Sequence, residues 1–174
     1  MKNIVLFLLL SSLVMVPLAG QTKKELKEEK IKKEAEEFDK MKDLVDGKVF
    51  EFEAEWTTSS QGRRINLYSR PNLLRINKDS LDVYLAYFGT LHSGSSAVNN
   101  EGGIIYNGIM DDYKTKVNEK KRNITVKFDT KGGSDSYQFI MTIYKSGNTV
   151  VSVSSPWRST SQYEGTTKKT SPKK

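Results

Sequence analysis

The 174-residue chain contains no cysteine. That excludes disulfides, thiolate zinc sites and cysteine nucleophiles together. It does not indicate a reducing compartment, because a chain this long buries enough surface to fold without covalent staples. Histidine is almost as scarce. His92 is the only one, so a histidine-built metal site lacks its second ligand. A Ser/His/Asp triad would have to use His92, yet no serine stands in a G-x-S-x-G elbow. Gly102-Gly103 is followed by a strand pattern and not by Gly-Lys-Ser/Thr and a helix, so there is no phosphate loop. Asp111 and Asp112 are adjacent, which puts them on opposite faces of an extended chain and makes a poor carboxylate pair; a turn is expected there. Asn123-Ile124-Thr125 fits the glycosylation acceptor pattern but falls inside a strand pattern. No acid, base and nucleophile come together. The reading is a non-enzyme with no catalytic residues, no metal ligands and no cofactor.

Charge of one sign is also less abundant than it looks. The formal charge is +7. Taking away Lys2 and the tail lysines Lys168, Lys169, Lys173 and Lys174 leaves +2, and residues 22–45 balance eight lysines with eight carboxylates. The folded body is then close to neutral, whereas a nucleic-acid binder carries its positive charge on the folded surface. Nucleic acid is therefore excluded as a partner. At 36% hydrophobic and 28% charged, the composition is that of one globular domain with charged appendages.

The longest apolar run is N-terminal. Met1-Lys2-Asn3 is a short positive segment, residues 4–16 are apolar apart from Ser11 and Ser12, and Pro17-Leu18-Ala19-Gly20 leads into Gln21. This is the layout of a secretory signal peptide, and the run is shorter than the roughly 20 residues a membrane span needs. Residues 1–20 are expected to be removed, leaving a periplasmic or secreted chain that starts at Gln21 and has no transmembrane span.

Residues 21–47 read as a charged amphipathic helix. Thr22 and Glu25 form a capping box, Glu28/Lys32, Glu29/Lys33 and Glu36/Lys40 are i,i+4 pairs, and Gly47 is the stop. Ile31, Ala35, Phe38, Met41 and Val45 share one side, which suits a lid over a sheet.

The apolar period then changes to two, and residues 48–165 read as an antiparallel β domain. Phe50, Phe52, Ala54 and Trp56 alternate with Glu51, Glu53 and Glu55, giving one buried and one solvated acidic face. The densest apolar stretch is residues 81–89. Leu81, Val83, Leu85 and Tyr87 lie on one face, and Asp82, Tyr84, Ala86 and Phe88 on the other. This pattern suits a central strand covered on both sides at its end. Residues 90–101 form a loop rich in Ser, Gly and Asn. Further strands are expected at 65–68, 73–76, 113–117, 124–128, 137–144, 149–154 and 159–163, with turns at Asn107-Gly108, 118–122, 131–134 and Ser146-Gly147-Asn148, and Gly165 ending the last strand. Residues 166–174 lack apolar side chains and read as a basic disordered tail. The fold class is mainly β: a curled antiparallel sheet of about eight or nine strands, an open barrel or sandwich, preceded by one α-helix.

Tyr84-Leu85-Ala86-Tyr87-Phe88-Gly89, then Gly102-Gly103-Ile104, Tyr137-x-Phe139, Arg158 and Tyr163-Glu164-Gly165 resemble the signature of a bacterial family of secreted domains, domain of unknown function 4251. Ala86 stands where that signature has proline. The resemblance implies an exported, β-rich domain and brings no activity or catalytic residue with it.

The remaining candidates are aromatic. Tyr84, Tyr87, Phe88 and Tyr106, with Arg158 as polar anchor, are the expected ligand-binding residues, because a curled sheet of this size can hold one small ligand in its mouth. The expected function is a non-enzymatic binding module with an apolar or amphipathic ligand on the concave face. The alternative is an envelope-associated interaction module that uses the helix or the lysine tail on an envelope protein or an anionic surface, and an enzyme of uncharacterised activity is a disfavoured second alternative.

Overall fold

The computed structural model describes residues 23–69, 71–92, 103–131 and 136–170. The expected signal peptide, the expected Thr22 cap, residues 93–102 of the long loop, residues 132–134 of an expected turn and the last four residues lie outside the described residues. The chain divides into two compact units, residues 1–32 and 33–174. The described part of the first is the opening turns of α1 (Lys23–Asp46), solvated on all sides, with Leu26 and Ile31 exposed and a Lys24–Glu28 pair at 4.0 Å. Ile31 was expected on the buried stripe. That stripe is carried instead by Phe38 and Val45, buried, and by Met41 and Leu44 beside them.

The second unit holds nine strands: β1 (Val49–Thr58), β2 (Arg64–Asn66), β3 (Leu73–Asn77), β4 (Ser80–Ala86), β5 (Gly103–Asn118), β6 (Asn123–Lys131), β7 (Gln138–Tyr144), β8 (Asn148–Ser155) and β9 (Arg158–Lys169). Every pairing is antiparallel. β9 pairs β1 along residues 50–58 and closes the sheet. A strand has two edges, so β3, opposite residues 49–53, and β2, opposite residues 56–58, must share the other one. The result is a closed eight-stranded barrel plus the short β2, laid end to end with β3. Asn72 bridges the break between them. Its carbonyl accepts the Ala54 amide at 2.8 Å, its side-chain oxygen accepts the Ala86 amide at 2.6 Å, and its side-chain amide donates to the Leu67 carbonyl at 3.4 Å.

Alternation fills the inside. Phe50 and Phe52, Leu74 and Ile76, Leu81, Val83 and Leu85, Ile124, Val126 and Phe128, Phe139, Met141 and Ile143, and Tyr163 all point inward and are sealed from solvent. Phe128 stacks between Tyr113 and Phe139, with ring centroids 6.2 and 5.1 Å away. A barrel of this strand number has an interior just wide enough for side chains to occupy, and here they occupy it.

Several local expectations change for steric reasons. Asn107-Gly108 is not a turn. It lies inside β5, where the Tyr106 ring covers Gly108 and the Tyr106 hydroxyl donates to the Ile109 carbonyl at 2.7 Å. Asp111-Asp112 is a bulge in the same strand, with Asp112 at φ 51°. Gly165 does not end β9. It lies in mid-strand beside the β1 bulge at Ala54/Trp56, where any Cβ would run into the Glu53 carbonyl. The strand continues to Lys169, so residues expected in the disordered tail close the barrel instead.

The two ends of the barrel are closed differently. The α1 residues Phe38, Met41 and Val45 cover the end that carries the β5–β6 and β7–β8 turns. Tyr113 donates to the Val45 carbonyl at 3.2 Å, and Glu34 takes Lys145 at 2.7 Å and also Arg122. At the other end residues 87–92 leave β4 and cross to the start of β9. The Ser159 amide donates to Thr90 at 3.0 Å, and the His92 amide to Trp157 at 2.9 Å.

Candidate binding site

The five expected ligand residues fall into four environments. Tyr87 and Arg158 meet at the strapped end. The Tyr87 hydroxyl donates to the Thr90 carbonyl at 2.6 Å and lies 3.0 Å from Ser159 Oγ, while the Arg158 guanidinium lies 5.1 Å from the Tyr87 ring centroid and 5.9 Å from that of Tyr137. Arg158 also donates to the Gly103 carbonyl at 3.2 Å. Beneath them Tyr163 donates to the Ala86 carbonyl at 2.9 Å, and burial raises its phenol above the usual tyrosine range. These groups bind one another, so they tie the strap to β9. Tyr106 points inward over Gly108 and packs against the core. Phe88 is half exposed, and its carbonyl accepts the Ser60 amide at 3.4 Å.

Tyr84 stands apart, on the outer wall. β4 has its inward set at Leu81, Val83 and Leu85, so Asp82 and Tyr84 face out. The expectation that this strand is covered on both sides fails there, because Tyr84 is 39% exposed. The register of β3, β4 and β5 then builds three outer rows. Leu73, Tyr84 and Ile105 are directly opposite one another, as are Arg75, Asp82 and Asn107, and then Asn77, Ser80 and Ile109. Ile105 and Ile109 are 44% and 57% exposed. Two depressions flank the middle row. One, of about 250 Å³, is lined by Pro71, Leu73, Arg75, Asp82 and Tyr84. The other, of about 680 Å³, shares Arg75 and Asp82 and extends over Asn77, Ser80, Asn107 and Ile109 to the inward-facing Ile76 and Leu81 and to Val49 and Thr170.

The charged row continues across the seam of the barrel. Lys168 of β9 lies opposite Glu51 of β1, which lies opposite Arg75 of β3, which lies opposite Asp82 of β4. The ion-pair distances are 3.7, 3.1 and 4.0 Å. Lys168 also holds Glu53 at 2.7 Å, and its ammonium is raised chiefly by that hydrogen bond. The acidic face of β1 is therefore not simply solvated. Glu51 is buried in a ladder of alternating charge, and Glu55 accepts from Tyr68 at 3.2 Å and Thr166 at 3.3 Å.

Leu73, Arg75, Asp82, Ile105 and Ile109 were absent from the expected set. Their outward orientation could be read from strand alternation, but their adjacency needed the register. His92 is exposed at the end of the strap, and its amide donates to Trp157. Among the described residues no cluster of three His, Cys, Asp or Glu side chains could hold a metal ion.

The family described as "Domain of unknown function (DUF4251)" matches residues 32–167. Among solved structures, the crystal structure of a DUF4251 family protein from Bacteroides eggerthii DSM 20697 is similar at 21% identity and a TM-score of 0.60, over 76% of this chain and 87% of that one. None of the curated proteins matches. The fold likeness and the sequence match agree in extent, and the chain belongs to the DUF4251 family.

Proposed function

We propose that this chain is an exported, non-enzymatic binding module whose amphipathic ligand lies on the outer wall of β3, β4 and β5. One observation carries the reading. The inward side chains are buried against one another, while the convex wall keeps an aromatic and aliphatic surface open beside a charged pair. Tyr84, Leu73 and Ile105 would take the apolar part of the ligand. Arg75 and Asp82 would orient its polar part, since a few fixed polar groups beside an apolar surface set orientation in small-molecule sites. The signal-peptide layout of residues 1–20 supports export.

A thermal-shift screen of amphipathic compounds against the full chain tests this. A true ligand at a hundred times its dissociation constant stabilises by about 2.7 kcal/mol. The shift should disappear in Tyr84→Ser and persist in Arg158→Lys. The opposite pattern would move the site to the strapped end, and no shift with any compound would remove the ligand.

A further inference from the structure

From the β5–β6 hairpin and its neighbours we infer a second surface, independent of the outer-wall ligand site, that docks on an anionic lipid bilayer. The charge of the folded body is not evenly spread. Residues 113–128 hold six cationic side chains, Lys114, Lys116, Lys120, Lys121, Arg122 and Lys127, against one carboxylate, Glu119. That local excess of five sits on a single hairpin. β4 stops pairing with β5 at Ile109, so beyond that point β6 is the only strand beside β5. Lys114 and Lys127 are directly opposite across the pair, and Asp112, which holds Lys114, offsets part of their repulsion.

Some of these charges have partners in the fold. Lys114 has Asp112, and Arg122 has Glu34. Lys116, Lys120 and Lys121 are exposed and take part in no ion pair among the described residues. Lys120, Lys121, Arg122 and Lys145 surround a depression of about 620 Å³ whose wall includes Tyr144 and Glu34, the carboxylate that pairs with Arg122 and Lys145. Tyr144 is half exposed at this end of the molecule. A dissolved polyanion would need only the lysines. An exposed tyrosine beside lysines fits the headgroup boundary of a bilayer, where amphipathic rings settle and cations meet acidic lipid. Lys168, which looked available as part of a tail, is held by Glu51 and Glu53.

The test is co-sedimentation of the full chain with phosphatidylglycerol-containing vesicles and with pure phosphatidylcholine vesicles at low salt. Binding should require the anionic lipid and fall as salt is raised. Each lysine near such a surface contributes about fivefold, so Lys120→Ala with Lys121→Ala should weaken partitioning roughly twenty-five-fold while melting unchanged. Lys23→Ala with Lys24→Ala, which removes the same charge from the first turns of α1, should have little effect. Tyr144→Ser should weaken vesicle binding without altering the response to salt. Equal loss in the α1 variant, equal binding to neutral vesicles, or retention by inorganic polyphosphate beads with no vesicle binding would each overturn the proposal.

Discussion

The inner and outer faces of the barrel wall are made by the same strands, yet they rest on different physics. Inside, contact is apolar, continuous and sealed: Phe50, Phe52, Phe128, Phe139 and Tyr163 leave nothing for solvent to reach. Outside, contact is carried by charge in one region and left open in the next. Along Lys168, Glu51, Arg75 and Asp82 each ion meets its opposite across a strand boundary. Along Lys116, Lys120 and Lys121 it does not. The comparison separates what holds the fold from what is available to bind. The interior is committed, the ladder is committed, and the apolar rows of β3–β5 and the basic hairpin are not.

The interior is the place to break this comparison first. Phe128→Ala should lower unfolding free energy by about 3–5 kcal/mol, because it removes a fully buried ring that two other rings stack against. Urea denaturation reads this directly. A loss near 1 kcal/mol would mean that the barrel already contains slack, and the ligand would return to its inside.

The outer ladder should come next. The Glu51 side chain is 6% exposed and holds Arg75, which is 33% exposed, at 3.1 Å. Removing one member of a buried ion pair strands the other, which costs about 3–5 kcal/mol when both are fully buried. Water still reaches Arg75, so Glu51→Ala should destabilise by about 2 kcal/mol. A double-mutant cycle with Arg75→Ala measures the coupling. A cycle that closes near zero would mean that the seam is held by its backbone bonds alone.

A smaller effect is expected where the inner face carries its own polar group. Tyr163 donates to the Ala86 carbonyl, and Tyr163→Phe should lose about 1 kcal/mol with that hydrogen bond. Alkaline pH adds a sharper reading. Burial raises the phenol of Tyr163 above its unfolded value of about 10, so the folded state holds its proton after the unfolded state has released it. The stability this adds is complete below pH about 10 and declines as pH rises above it. Burial also raises Tyr113, so Tyr163→Phe should flatten part of the decline and not all of it. Parallel wild-type and variant curves between pH 9 and 11 would show that Tyr163 takes no part.

Most strands were legible in the sequence because two-residue alternation survives in each: Phe50/Phe52, Leu81/Val83/Leu85 and Phe139/Met141/Ile143 are buried as their spacing requires. Closure was not legible. It rests on β9 reaching Lys169, and Thr166-Thr167-Lys168-Lys169 has no apolar residue to announce a strand. Thr167 is nevertheless buried, bonded to Thr149 through their hydroxyls at 2.7 Å, and Lys168 works on the outside. Glycine misled for a related reason. Gly108 and Gly165 look like turns in one dimension, whereas one lies under a tyrosine ring and the other lets β9 approach β1. The candidate site was half legible: Tyr84 was named, but its neighbours Leu73 and Ile105 come from strands whose register the sequence does not state. Summed charge conceals its distribution. A body near neutrality in total hides a hairpin with an excess of five.

The smallest effect belongs to that hairpin, and its smallness is the test. Lys120 and Lys121 are exposed, next to a turn in which the Lys121 amide donates to the Asn118 side chain at 3.0 Å and Arg122 sits at φ 48°. Their backbones hold the turn, and their side chains support nothing in the fold. Lys120→Ala with Lys121→Ala should therefore change stability by less than about 0.5 kcal/mol, the range of surface substitutions away from structural features. Relief of repulsion among the hairpin cations could make the sign slightly favourable at low salt and bring it to zero as salt screens them. Melting at two ionic strengths distinguishes these regimes. If the pair instead destabilises by 1 kcal/mol or more at both, the lysines belong to the fold as the ladder does, and the outer wall has no uncommitted charge to present to a membrane.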